Sequence, residues 1–163
     1  MSGYSTVDWE NFLVANAGAA AALAGLLFVS VSINISKILS YPSLPGRAIE
    51  AILLLFNVLV ASMLGLIPQS SRPLGAEILA ASLFVWLVIL SLQIRDVRRP
   101  GQRALWSATR IVTGQLGLLP MIAAGVSLLA ERGGGLYWLA AGAIFSFGAA
   151  LIDAWVLLVE ILR

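Results

Sequence analysis

Apolar residues fill long stretches of this chain, and polar residues collect in the short gaps between them. The gaps also hold the helix breakers. Pro42, Pro45, Pro68, Pro73 and Pro100 all fall there, and Gly133, Gly134 and Gly135 mark a further turn. Each apolar stretch reaches the roughly 20 residues that a helix needs to cross a hydrocarbon core, whereas a barrel strand needs only about 10 and alternates. The pattern therefore predicts five transmembrane helices, at about 8–39, 46–67, 74–97, 102–130 and 135–163. Asp8 is placed to cap the first, with Glu10 and Asn11 in its first turn. A helix of roughly 29 residues spans about 43 Å, so the first and fourth must tilt, kink or protrude. Pro120, inside the fourth, is expected to kink it. The chain shows no internal repeat, linker or second domain.

Composition narrows the class. Of 163 residues, 60% are hydrophobic and 11% charged, against roughly 45–50% and about 25% in a soluble domain. A soluble fold of this size cannot hide that much apolar surface. The expected fold is an all-α polytopic membrane bundle. The chain has no cysteine and no histidine, which removes disulfides, thiolate nucleophiles, Cys/His zinc sites and His-ligated haem. The motifs GxxxxGK[ST], HExxH and GxSxG are absent, as is GxGxxG after a strand. No catalytic, cofactor-binding or metal residue is assigned, and no enzymatic activity is expected.

Charge sets an expected orientation. Five crossings place the termini on opposite sides. Lys37, Arg47, Arg95, Arg98, Arg99, Arg103 and Arg163 would share one side, and Arg72 and Arg132 the other. Under the positive-inside rule the N-terminus is expected outside and the C-terminus in the cytoplasm. The first ten residues carry acids and no basic residue, so the first span reads as a retained helix rather than a cleaved signal. Between two apolar spans, Arg95, Arg98 and Arg99 are expected to meet anionic lipid headgroups rather than nucleic acid. Tyr41, Tyr137 and Trp138 suit the interfacial aromatic belts.

Three polar patterns stand out. Arg103 and Arg110 are seven apart on one helix, and Asp153 and Glu160 are seven apart on the next. Counting along these antiparallel neighbours puts Arg103 level with Glu160 and Arg110 level with Asp153. Two ion pairs are predicted, which either fix the register of a helical hairpin or form an ion or proton relay. In the first helix, Gly18, Ala22, Gly25, Val29, Ser32 and Ser36 form a small-residue stripe, and Asn16, Ala20, Leu27, Ser30 and Asn34 lie on another face. The asparagines are 18 residues apart, about 27 Å along the axis. They read either as amide clamps between close-packed helices or as polar rings at the two ends of a pore. Glu50 and Asn57 are also seven apart, with Glu50 placed to pair with Arg47 or Lys37 at the interface. Gln93 and Gln115 read as interhelical clamps, and Trp86, Trp106 and Trp155 as packing or interfacial residues.

The stretch WENFLVANAGAAAALAGLLFVSVSIN at 9–34, LPGRAIEA at 44–51 and AWVLLVEI at 154–161 resemble a group of small bacterial polytopic membrane proteins, some labelled modulators of FtsH protease. The resemblance spans nearly the whole chain. It implies a bacterial inner-membrane location and carries no functional residues across. The well-known modulators of that label have seven helices, a pattern from which five spans depart. Two functions remain open, and the first is preferred because packing explains only in part the amides at both ends of a small-residue helix. One is a homo-oligomeric, channel-like pore for small ions with the first helix near the axis. The other is a non-conducting protein that regulates a membrane protease or another membrane complex. They differ in what Asn16 and Asn34 face: a shared aqueous axis, or the interior of one bundle or a partner.

Overall fold

The computed structural model describes residues 3–41, 44–97 and 104–158, with side chains throughout except at 104–109. The described residues hold helices and no strand. A 3-10 turn at Val7–Trp9 leads into α1 (Glu10–Ile33), followed by α2 (Ile35–Ser40), α3 (Leu44–Leu66), α4 (Ser71–Val97), α5 (Ala104–Ala130) and α6 (Leu136–Leu158). Five of these segments are long and apolar enough to span a membrane, at Val7–Ile33, Leu44–Leu66, Ser71–Val97, Arg110–Ala130 and Leu136–Leu158. This is a multi-pass membrane protein.

Helix boundaries follow the breakers closely. Pro45 and Pro73 sit in the first turns of α3 and α4, where a missing N–H costs nothing because it has no partner in the helix. Pro120 lies within α5 without ending it. Two expectations fail at the first helix. Asp8 lies in the 3-10 turn, and Trp9 precedes α1 with no side-chain cap. The helix also breaks at Asn34, where the backbone turns to φ −102° and ψ 14°. The Asn34 side-chain amide donates to Ser30 O at 3.1 Å, the same carbonyl its own backbone N–H uses at 3.3 Å. A short amide bonding back to the i−4 carbonyl competes with the helix in this way.

Helices α3, α4, α5 and α6 form a closed ring, each packed on the next, with α6 returning to α3. α1 lies outside the ring, against α3 and α6. Glycine sets the α4–α5 spacing. A Cβ on Gly75 would lie 2.6 Å from Leu129 N, and one on Gly125 would lie 2.7 Å from the Leu79 Cβ. Small residues allow this approach, which matters in lipid because helices there gain little from hydrophobic exclusion and must pack closely instead. Leu26, Phe28, Phe84, Ile144 and Trp155 point outward, as expected where the surrounding solvent is hydrocarbon.

The two ends of the bundle are distinct. The basic end gathers the C-termini of α1, α4 and α6 with the N-termini of α3 and α5. At the opposite end the N-terminal segment is strapped onto the α5–α6 turn. Gly3 O accepts from Leu136 N at 2.8 Å, and Tyr4 Oη accepts from Gly134 N at 3.0 Å. Trp9 packs edge-on against Tyr137, with ring centroids 4.9 Å apart.

Candidate functional site

The basic end holds a buried ionic cluster contributed by all four ring helices. On α3, Arg47 and Glu50 are three residues apart and share a face. On α4, Gln93 and Asp96 have the same spacing. Arg110 and Gln115 come from α5, and Asp153 from α6. Arg110 is the hub. Its Nε donates to Glu50 Oε2 at 2.6 Å, and its Nη1 donates to Asp96 Oδ2 at 2.5 Å. The second oxygen of Glu50 accepts from Gln93 Nε2 at 2.6 Å. Gln115 Nε2 donates to Gln93 Oε1 at 3.4 Å, and Trp86 Nε1 donates to Gln115 Oε1 at 2.7 Å. A directional chain thus runs from a half-buried indole, through two amides, to a carboxylate only 1% exposed.

Glycines leave room for the cluster. A Cβ on Gly114 would fall 2.5 Å from Glu50 Oε1 and 3.0 Å from Gln93 Nε2. One on Gly46 would lie 3.0 Å from Asp96 Oδ2 and 3.1 Å from Arg110 Nη2. Deeper in the bundle, Asn57 and Ser82 exchange hydrogen bonds at 3.3 Å and join α3 to α4.

The predicted Arg110–Asp153 pair is not formed. Arg110 turns to α3 and α4, and Asp153 Oδ1 lies 3.9 Å from Arg47 Nε instead. Counting residues along two antiparallel helices fixes height but not the direction in which a side chain points around the ring. Glu50 also departs from expectation: it is buried on Arg110 and Gln93, not paired at the interface with Arg47 or Lys37. Asp96 and Arg47 were missed as members of the cluster. The i, i+3 spacings Arg47/Glu50 and Gln93/Asp96 were the available signal. The Arg103–Glu160 pair and the headgroup candidates Arg98 and Arg99 lie outside the described residues, as does the side chain of Trp106. Arg95 is exposed in the last turn of α4. Gln93 and Gln115 do bridge helices.

The first helix presents two opposite faces. Leu13, Asn16, Ala20 and Leu27 are buried against α3 and α6, and Ser30 and Asn34 are half-buried. At 100° per residue the small-residue stripe lies on the far side of the helix. All six of its members, Gly18, Ala22, Gly25, Val29, Ser32 and Ser36, are exposed. A Cβ added at Gly18 or Gly25 would meet nothing within 4 Å. The two faces expected from the sequence thus separate fully, and neither Asn16 nor Asn34 forms an amide clamp to another helix. Asn16 Nδ2 is buried with no hydrogen-bond partner, and the Asn34 amide bonds within its own helix. The hydroxyls of Ser30 and Ser32 likewise return to Leu26 O and Phe28 O, both at 2.8 Å.

Among the described residues, no group of three or more Asp or Glu side chains is arranged to hold a metal ion. What the cluster does chemically is cross-brace α3, α4 and α5 with charge-assisted hydrogen bonds, with α6 joined by the longer Arg47–Asp153 ion pair. No protein-family model, curated protein or solved structure matches the chain.

Proposed function

We propose that this protein acts as a non-conducting interaction protein, docking α1 laterally on another transmembrane helix. The observation that carries this reading is the exposure of the whole Gly18–Ala22–Gly25–Val29–Ser32–Ser36 stripe. In lipid, such a stripe gains from the close approach of a second helix backbone, and gains little from acyl chains. The asparagine face supports the same reading, because Asn16 is buried inside the single bundle. The chain's resemblance to small bacterial proteins labelled protease modulators fits a regulatory contact in a bacterial inner membrane. In that setting the basic end faces the cytoplasm and anionic headgroups, by the charge bias. A homo-oligomeric pore is the second reading. The same stripe favours it, because a ring of copies meeting through α1 would bring these small residues to the axis.

The absence of native cysteine makes the test direct. Gly25→Cys, placed in the full chain in native membranes and labelled with a thiol-reactive benzophenone, should form a photo-crosslinked adduct with a neighbouring chain. Ile144→Cys on the lipid face of α6, 65% exposed, should not. Adducts of equal yield from both positions, or from neither, defeat lateral docking through α1. An adduct with another chain supports the regulatory reading. A self-adduct accompanied by ion flux from reconstituted liposomes supports the pore and defeats the non-conducting reading.

A further inference from the structure

We infer that the crevice between α1, α3 and α6 binds an acyl chain of an anionic phospholipid whose phosphate is held by Lys37. The crevice has a volume of about 170 Å³ and is walled by Leu23, Leu27 and Ser30 of α1, Leu55 of α3, and Ala150 and Ala154 of α6. The two alanines, one helical turn apart, leave the gap. The crevice offers no free polar group from Ser30, whose hydroxyl is engaged by Leu26 O. It lies among three membrane-spanning helices and is lined by apolar side chains, so leaving it empty forfeits dispersion contacts on its walls. An acyl chain is the occupant with the matching chemistry.

Lys37 supplies the headgroup partner. It is the chain's single lysine, seven residues beyond Ser30, which is two turns and about 10 Å towards the basic end. The hydrogen bonds Asn34 N to Ser30 O and Ile38 N to Asn34 O carry the helical register across the break. Lys37 therefore lies on the Ser30 side. It is exposed, and it makes no ion pair with any described residue. No acidic residue occurs between Glu10 and Glu50 in sequence. A lysine at this depth extends its ammonium to the headgroup layer while its methylenes cover apolar surface. The site lies about a quarter to a third of a turn around α1 from the small-residue stripe, and none of its named residues belongs to that stripe, so it does not depend on lateral docking.

The test is native mass spectrometry of the full chain with added phosphatidylglycerol or phosphatidylcholine of identical acyl chains. Phosphatidylglycerol should be retained preferentially. Lys37→Gln, an exposed change, should reduce that retention about fivefold, the ratio equivalent to roughly 1 kcal/mol per basic residue at an anionic surface. It should leave phosphatidylcholine unchanged. Ala154→Phe, which fills the crevice, should reduce retention of both lipids, with helix content by circular dichroism reporting that the bundle is intact. Equal retention of the two lipids overturns the proposal, as does phosphatidylglycerol retention that survives Lys37→Gln. Retention that survives Ala154→Phe in a folded bundle overturns it as well. If Ala154→Phe loses its helix content, the Lys37→Gln comparison decides alone.

Discussion

The two ends of the bundle are closed by different chemistry. At the basic end, side-chain charges from four helices meet around Arg110. At the opposite end, closure is made mainly by the backbone. Gly133, Gly134 and Gly135 take positive φ values of 84°, 115° and 54°, as does Glu131 at 51°. Ser127 Oγ accepts from Gly135 N at 2.7 Å and donates to the Arg132 carbonyl. Both solutions answer the same demand, since polar groups near lipid must find partners inside the protein. They differ in reach. A guanidinium spans several ångströms and can bridge three helices, whereas a backbone strap needs the chain to come within one hydrogen bond of itself. The first should therefore dominate stability and the second should set local order.

The largest expected effect is at Arg110. Arg110→Met leaves Glu50 and Asp96 without their shared cation in a site where both are buried. Breaking one partner of a buried pair typically costs about 3–5 kcal/mol, and unfolding in a denaturing detergent titration should show a loss of that order. A double-mutant cycle sharpens the result. Arg110→Met with Glu50→Gln should be strongly non-additive, and Arg110→Met with Asp153→Asn clearly less so. Coupling to Asp153 that equals or exceeds coupling to Glu50 would restore the pairing expected from helix counting and refute the observed one.

An intermediate effect is expected at the strap. Gly135→Ala forces a side chain into a left-handed backbone and drives its Cβ into Gly3 O. The conformational part alone costs about 1–2 kcal/mol. The visible consequence should be faster hydrogen exchange at the amides of Gly134 and Leu136 and over the 3-10 turn, with the basic end unaffected. Gly148→Ala is the control, since a Cβ there meets nothing within 4 Å and alanine is favoured in a helix by about 1 kcal/mol. Exchange that rises equally at both ends would mean the ends are not separable units.

The same contrast explains what was legible in the sequence. The five spans could be read because lipid imposes one length and one polarity on every crossing, and breakers mark the ends. That Arg110 and Asp153 needed partners could be read from their positions inside apolar stretches. Which partners they took could not, because that depends on how each helix is rotated within the ring. Two residues three apart on α4, Gln93 and Asp96, meet α3 and α5 only once the rotation is set. The break at Asn34 escaped because an asparagine inside an apolar helix suggests a partner on another helix, whereas its amide bonds one turn back. The strap escaped entirely. Nothing in Gly3 and Tyr4 as a sequence points to residues 134 and 136.

The smallest effect is expected from an ion pair that geometry alone would rank above a larger one. Arg72 Nε lies 3.7 Å from Glu131 Oε1 at the strap end, and Arg47 Nε lies 3.9 Å from Asp153 Oδ1 at the basic end. Distance slightly favours the first. Burial separates them decisively: the side chains are 73% and 48% exposed in the first, and 10% and 7% in the second. Glu131 also keeps a 2.8 Å hydrogen bond from Ser71 Oγ, so losing Arg72 does not strand it. Arg72→Gln should therefore change unfolding stability by no more than about 0–1 kcal/mol, as for other exposed pairs. Asp153→Asn should cost more despite the longer contact, because it changes the charge balance where little solvent is present to compensate. Equal losses from Arg72→Gln and Asp153→Asn would show that distance rather than burial ranks these pairs, and the distinction between the two ends would not hold.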